Sequence, residues 1–179
     1  MNLRTLLQSL TTLAALPLMP ACSRASDVPV ESGTASGASS AVMRLDRPKA
    51  FWRDKVSPAA FQVLFEEDTE RAFSSPLDKE KRAGTFVCAA CYLPLFDSVH
   101  KYDSGTGWPS FTQAIAGHVG TQRDFLLFLP RTEYHCGRCG GHQGHIFDDG
   151  PSPMGKRWCN NGLALRFVRK NESLPTLRG

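Results

Sequence analysis

The residues best equipped for chemistry are the cysteines, five of which lie beyond position 87 in a chain of 179 residues. Four are paired, as Cys88-Ala89-Ala90-Cys91 and Cys136-Gly137-Arg138-Cys139, with 44 residues between the pairs. A tight turn brings both sulfurs of a C-x-x-C pair to one side, and two such turns face to face supply the tetrahedral thiolate set that Zn2+ prefers. The gap is longer than in a compact zinc ribbon, so the metal would join distant parts of a sheet. Two disulfides, or one redox-active pair, are the competing readings. Gly137, Gly140 and Gly141 favour turns over the strand-to-helix junction of a redox pair, which leaves structural zinc as the preferred reading. A zinc ion with four protein ligands keeps no open position and is not itself a catalyst.

With Cys22 assigned below to the N-terminal segment, Cys159 is the cysteine left over. It stands in Gly155-Lys156-Arg157-Trp158-Cys159-Asn160-Asn161. A lone cysteine beside a strand is commonly an inert core residue, but these neighbours argue otherwise. In an extended segment Arg157, Cys159 and Asn161 share one face, and the guanidinium would favour the thiolate. Upstream, Gly141-His142-Gln143-Gly144-His145 is dense in imidazole. Two histidines so placed suit a metal pair, with Asp149 as a further ligand, or an acid and a base held close together.

Three stretches carry a resemblance: Tyr102-Asp103-Ser104-Gly105-Thr106-Gly107-Trp108-Pro109-Ser110-Phe111, then His142-x-Gly144-His145-x-Phe147-x-Asp149-Gly150-Pro151, then Arg157-Trp158-Cys159-x-Asn161. With Trp52-Arg53 and Thr69-Glu70-Arg71-Ala72-Phe73, the likeness spans about Phe51 to Val168, and the chain resembles the B-type methionine sulfoxide reductases. The resemblance implies reduction of methionine R-sulfoxide, free or in oxidised proteins, through a sulfenic acid on Cys159. It assigns Trp108 to the substrate's S-methyl group and His145 to proton donation. His142 and Asn161 would shape the site, and Asp149 and Arg157 would steer its hydrogen bonds and charge. It implies a fold of two antiparallel sheets with small helices, and structural zinc on Cys88, Cys91, Cys136 and Cys139. The chemistry is consistent: a thiolate attacks a sulfoxide sulfur only if an acid protonates the oxygen. A zinc-pinned β module that binds without catalysis is the alternative, against which Cys159, Arg157, Asn161 and His145 argue.

Three positions depart from the family pattern. Thr106 stands where many members carry a resolving cysteine, so an external thiol or a thioredoxin-like reductase must regenerate Cys159. Asn160 and Gln143 replace residues that are commonly apolar. On an alternating strand Asn160 faces away from substrate, and the sequence assigns Gln143 no consequence.

The elements that position these residues are short. Ser57 followed by Pro58, with Phe61, Leu64 and Phe65 at helical spacing, predicts a capped amphipathic helix. The apolar runs Thr85 to Val87, Leu93 to Phe96, Phe125 to Leu129, His145 to Phe147 and Leu163 to Val168 are broken by turn residues. They predict a mainly β domain of antiparallel sheets with a few short helices over residues 46–170, then a C-terminal tail over 171–179. The N-terminus has a basic start at Arg4, an apolar stretch from Leu6 to Leu18, and Ala21-Cys22. That layout predicts an export signal over residues 1–22, with Cys22 as a lipoprotein-type anchor. The Ser, Gly and Ala-rich residues 23–45 form a flexible linker. A periplasmic or envelope location follows, with membrane contact only through the anchor. The formal charge of +4 is dispersed and forms no basic stripe, which speaks against nucleic acid. A single catalytic domain is expected to act as a monomer.

Overall fold

The computed structural model describes residues 42–125 and 130–179. The export signal, Cys22, the linker up to residue 41 and the apolar residues 126–129 lie outside the described residues. No described helix is long and apolar enough to cross a membrane.

The one α-helix among the described residues, α1 (Pro58–Glu66), forms where its cap predicts. Ser57 accepts a hydrogen bond from the Ala60 amide at 3.1 Å, Pro58 occupies the first turn, and Glu67 ends the helix in the left-handed region. Its apolar face buries Phe61, Leu64 and Phe65, and Phe65 stacks on the fully buried Trp52.

Among the described residues nine strands make two antiparallel sheets. They are β1 (Gly84–Cys88), β2 (Pro94–Asp97), β3 (Lys101–Tyr102), β4 (Ser110–Phe111), β5 (Val119–Asp124), β6 (Arg131–Cys136), β7 (His142–Phe147), β8 (Arg157–Asn160) and β9 (Leu165–Arg169). The smaller sheet runs β2-β1-β9 and the larger runs β3-β4-β8-β7-β6-β5. The architecture is the mainly β, two-sheet fold expected. Aromatic rings from both sheets meet in the core. Phe96 of β2 stacks on Phe111 of β4 at 4.1 Å, Phe86 of β1 meets Phe111 edge-on, and Tyr134 of β6 closes on Phe96. All four are 0% exposed, so truncating any one would cost about 3–5 kcal/mol.

Residues expected outside the domain pack onto it. Val42 and Leu45 lie against the core, and the Leu45 amide donates to the Arg138 carbonyl at 2.7 Å. In the C-terminal tail the Arg178 amide donates to the Cys91 carbonyl, and Arg138 reaches the Gly179 carbonyl.

Candidate active site

Each C-x-x-C pair sits in the turn of a hairpin, and the two hairpins belong to different sheets. Cys88 and Cys91 occupy the turn between β1 and β2, and Cys136 and Cys139 the turn between β6 and β7. Backbone bonds from Tyr92 to Cys88 and from Gly140 to Cys136 tighten the turns. The four sulfurs lie within 4.8 Å of one another, with Cys88 and Cys139 3.6 Å apart and Cys91 and Cys136 3.5 Å apart. A disulfide needs about 2.05 Å, whereas thiolates at about 2.3 Å from a tetrahedral zinc stand roughly 3.8 Å from each other. Hydrogen bonding to Cys136 pushes the Cys88 and Cys139 thiols up and the Cys91 thiol down. Thiols so crowded share protons, and all four can ionise together only around a cation. This donor set can hold a metal and would bolt the two sheets together.

Away from that cluster, β8 lies between β4 and β7, so Cys159 is paired with Ser110 on one side and His145 on the other. The strands approach closely because position 144 is glycine: a Cβ there would sit 2.0 Å from the Cys159 carbonyl oxygen. Cys159 is half-buried. Burial pushes its thiol above the ordinary value, and the Arg157 guanidinium and then the Thr106 hydroxyl pull it part of the way back. Burial wins, so the resting sulfur is largely protonated at neutral pH.

Arg157 is itself buried, forks onto the Asp149 carboxylate at 2.8 and 2.9 Å, and lies 4.3 Å over the Phe147 ring. Asp149 is exposed, and its pairing with Arg157 holds its carboxyl below the usual range. Asn161 is buried with its side chain committed: Oδ1 accepts from the Glu70 amide and Nδ2 donates to the Gln143 carbonyl. The Trp108 indole is fixed by donating to the Glu70 carbonyl at 3.1 Å.

Both imidazoles are anchored to carboxylates. His145 Nε2 bonds Asp124 at 2.9 Å, and Asp124 also receives Arg131 at 2.7 Å. His142 Nδ1 bonds Glu133 at 2.6 Å, leaving Nε2 buried without a hydrogen-bond partner among the described residues. The two rings are 5.5 Å apart. Burial lowers the pKa of His145, opposed by its bond to Asp124, so the imidazole is neutral near neutral pH.

Cys159, His145, Asn161, Trp108 and Phe147 line one small pocket of about 130 Å³. Arg157 and Asp149 stand beside it and His142 behind His145. A larger hollow of about 610 Å³, walled by Leu77, Tyr92 and Phe167, holds no thiol or imidazole and no comparable chemistry. Sequence reasoning missed Asp124, Glu133 and Arg131, and gave Phe147 no role at the site. The signal lay in the register of β5 and β6, where Arg131 faces Asp124 and Glu133 faces both Gln122 and, on β7, His145.

Comparison with known proteins gives a consistent result. The SelR domain family matches residues 56–169. The peptide methionine sulfoxide reductase MsrB of Bradyrhizobium diazoefficiens is 50% identical over 120 residues, covering 66% of this chain and 86% of that protein. The MsrB of Leptospira interrogans is 45% identical over 120 residues, covering 66% and 92%. That of Thiobacillus denitrificans is 45% identical over 132 residues, covering 72% of this chain and all of the relative.

Proposed function

The chain belongs to the B-type methionine sulfoxide reductase family, and on that premise we propose how its residues divide the work. The enzyme reduces methionine sulfoxide as a repair activity. The observation that carries the assignment of roles is the pairing of Cys159 with His145 across β7 and β8, in a pocket walled by Trp108 and Phe147.

The substrate is methionine R-sulfoxide. Its methyl group rests against the Trp108 indole, and its sulfur lies over Cys159 Sγ. As Sγ attacks, the thiol proton passes to the sulfoxide oxygen, with the His145 imidazole placed to relay it and Asp124 holding the ring in position. The sulfur–oxygen bond of the substrate breaks and the oxygen passes to Cys159 as a sulfenic acid. The substrate sulfur gains two electrons and Cys159 loses two, so no net proton is consumed. The unpartnered His142 Nε2 is available to orient a water or the oxygen, and Asn161 keeps β8 in register with the Glu70 segment. Arg157, aimed by Asp149, stabilises the sulfur as it loses its proton.

The sulfenic acid is then attacked by an external thiol, because Thr106 holds the place from which a resolving cysteine would act. Cys88, Cys91, Cys136 and Cys139 hold a structural zinc ion, which supplies a cross-link between sheets and no chemistry at the pocket. The N-terminal segment exports the chain, and Cys22 anchors it to the envelope. Residues 23–41 would be the tether through which a monomeric domain reaches oxidised proteins or free methionine sulfoxide there. The basic start and apolar centre of that segment support this reading; cell fractionation with labelled fatty acid tests it, and an unlabelled cytoplasmic protein would refute it.

The deciding experiment incubates wild type and Cys159→Ser with separated R and S sulfoxides and dithiothreitol. Reduction of the R epimer by wild type alone is expected. Equal turnover of both epimers, or an active serine variant, would overturn the assignment.

A further inference from the structure

The two unusual polar residues, Gln143 and Asn160, touch each other. Both are 0% exposed, and their side chains belong to one continuous hydrogen-bonded chain. Gln143 Nε2 donates to the Cys88 sulfur at 3.7 Å and to the Gly141 carbonyl at 3.4 Å. Gln143 Oε1 accepts from Asn160 Nδ2 at 3.4 Å. Asn160 Nδ2 also donates to the Asn161 carbonyl at 2.8 Å, and Asn160 Oδ1 accepts from the Tyr134 hydroxyl at 2.7 Å. That hydroxyl lies 3.2 Å from the Cys159 carbonyl as well. The chain of bonds therefore starts at a cluster sulfur and ends on the carbonyls of Cys159 and Asn161, the residues either side of Asn160.

We propose that Gln143 and Asn160 act as one positioning device, a polar strut that ties the four-cysteine cluster to the strand carrying Cys159. The inference rests on Cys159 being the attacking sulfur. Its physical basis is mutual satisfaction: every polar atom of the two side chains has a partner, removing Asn160 orphans the buried Gln143 Oε1, and removing Gln143 costs Asn160 Nδ2 one of its two acceptors. A hydrogen bond to a metal-binding sulfur also fixes that ligand's orientation. Gln143 does not line the pocket, and Asn160 lines it with its fully buried side chain committed to Tyr134, Gln143 and the Asn161 carbonyl, so the strut governs how Cys159 is presented more than how tightly substrate is held. Gln143 also holds Asn161 through its backbone carbonyl, which accepts from both the amide and the side chain of Asn161. Movement of β7 is thereby passed to β8 by two routes.

The test is a double-mutant cycle with Gln143→Leu, Asn160→Leu and the pair, on zinc-loaded full chain. Three readouts are taken: kcat and KM with R-sulfoxide, the rate of Cys159 alkylation by iodoacetamide, and zinc release to a chelating dye. Each single variant is expected to lower kcat about tenfold with KM changed less than about twofold. The double variant should be at least threefold better than the product of the two losses. Asn160→Leu removes no atom in contact with the cluster, yet should speed zinc release severalfold. Additive losses, unchanged kcat in the singles, or wild-type zinc release in Asn160→Leu would each overturn the strut. Should a single variant fail to fold, Tyr134→Phe interrogates the same chain by deleting one hydroxyl. A fall in kcat of about threefold at constant KM is expected, and an unchanged kcat refutes the proposal. If wild type reduced no sulfoxide, the assignment of Cys159 would fail, whereas alkylation and zinc release would still report on the strut.

Discussion

Replacing Arg157 by methionine separates two effects that usually travel together. Methionine keeps apolar contact with the Phe147 ring but removes the charge nearest in sequence on the Cys159 face. An opposite charge close to an acid lowers its pKa. Arg157 pulls the Cys159 thiol down, while the Asp149 carboxylate that shares its charge pushes the other way, so the variant's thiol should titrate higher and hold a smaller thiolate fraction at neutral pH. A more basic thiolate is also the better nucleophile, with a slope of about 0.4–0.5, which recovers nearly half of that loss on a logarithmic scale. Alkylation by iodoacetamide at pH 7 should therefore slow by less than the thiolate fraction falls. Above both midpoints the variant should overtake wild type, and the two pH profiles should cross. Asp149→Asn is the sign control: it leaves Arg157 over Phe147 and should move the midpoint down. A midpoint in Arg157→Met that stays or falls, or profiles that never cross, would refute the electrostatic role of Arg157.

Three further outcomes follow from the geometry. Asp124→Asn strips the carboxylate from both His145 and Arg131, and losing a charge-assisted bond of about 1.5–3 kcal/mol should lower kcat/KM at least tenfold while the protein stays folded; wild-type kinetics would exclude Asp124 from the site. Metal analysis should find one zinc per chain, and Cys136→Ser should lower the thermal midpoint by more than about 10 °C, since several kcal/mol link the sheets; an unchanged midpoint would refute the cross-link. Thr106→Cys should yield an intramolecular disulfide to Cys159 after one turnover in the absence of reductant, seen by mass spectrometry, because the Thr106 hydroxyl interacts with the Cys159 thiol. Wild type should yield none, and a high-yield Cys159 disulfide in wild type would overturn the requirement for an external thiol.

The sequence was most legible where one residue type suffices for a local structure. Ser57-Pro58 announced α1, and the C-x-x-C spacing announced two turns, because caps and turns are decided within a few residues. Strands β5 and β6 were hidden: Val119–Asp124 and Arg131–Cys136 are largely polar, with β5 exposed at three successive positions. The edge strand β5 faces solvent, and β6 sets polar Glu133 and His135 on either side of the buried Tyr134, so neither has much apolar alternation to display. Missing that hairpin also hid Asp124 and Glu133, whose roles depend on reaching histidines on β7. Trp108 and Cys159 were visible in their motifs, but not that the pocket between them is completed by Phe147. The end of the linker was legible at Val42 and Leu45, aliphatic side chains at the point where the chain enters the domain, and both pack against its core.

The half-buried, protonated state of the Cys159 thiol bears on how the enzyme survives its own surroundings. A repair enzyme for oxidised methionine works where peroxides are present, and peroxides consume thiolates far faster than thiols, with over-oxidation beyond the sulfenic stage irreversible. A nucleophile kept permanently ionised would be spent on oxidant between substrates. Holding the proton on sulfur until a sulfoxide oxygen is there to receive it makes the reactive form conditional on the substrate. A resting thiol that burial keeps protonated is, on that reasoning, the slower target for oxidant.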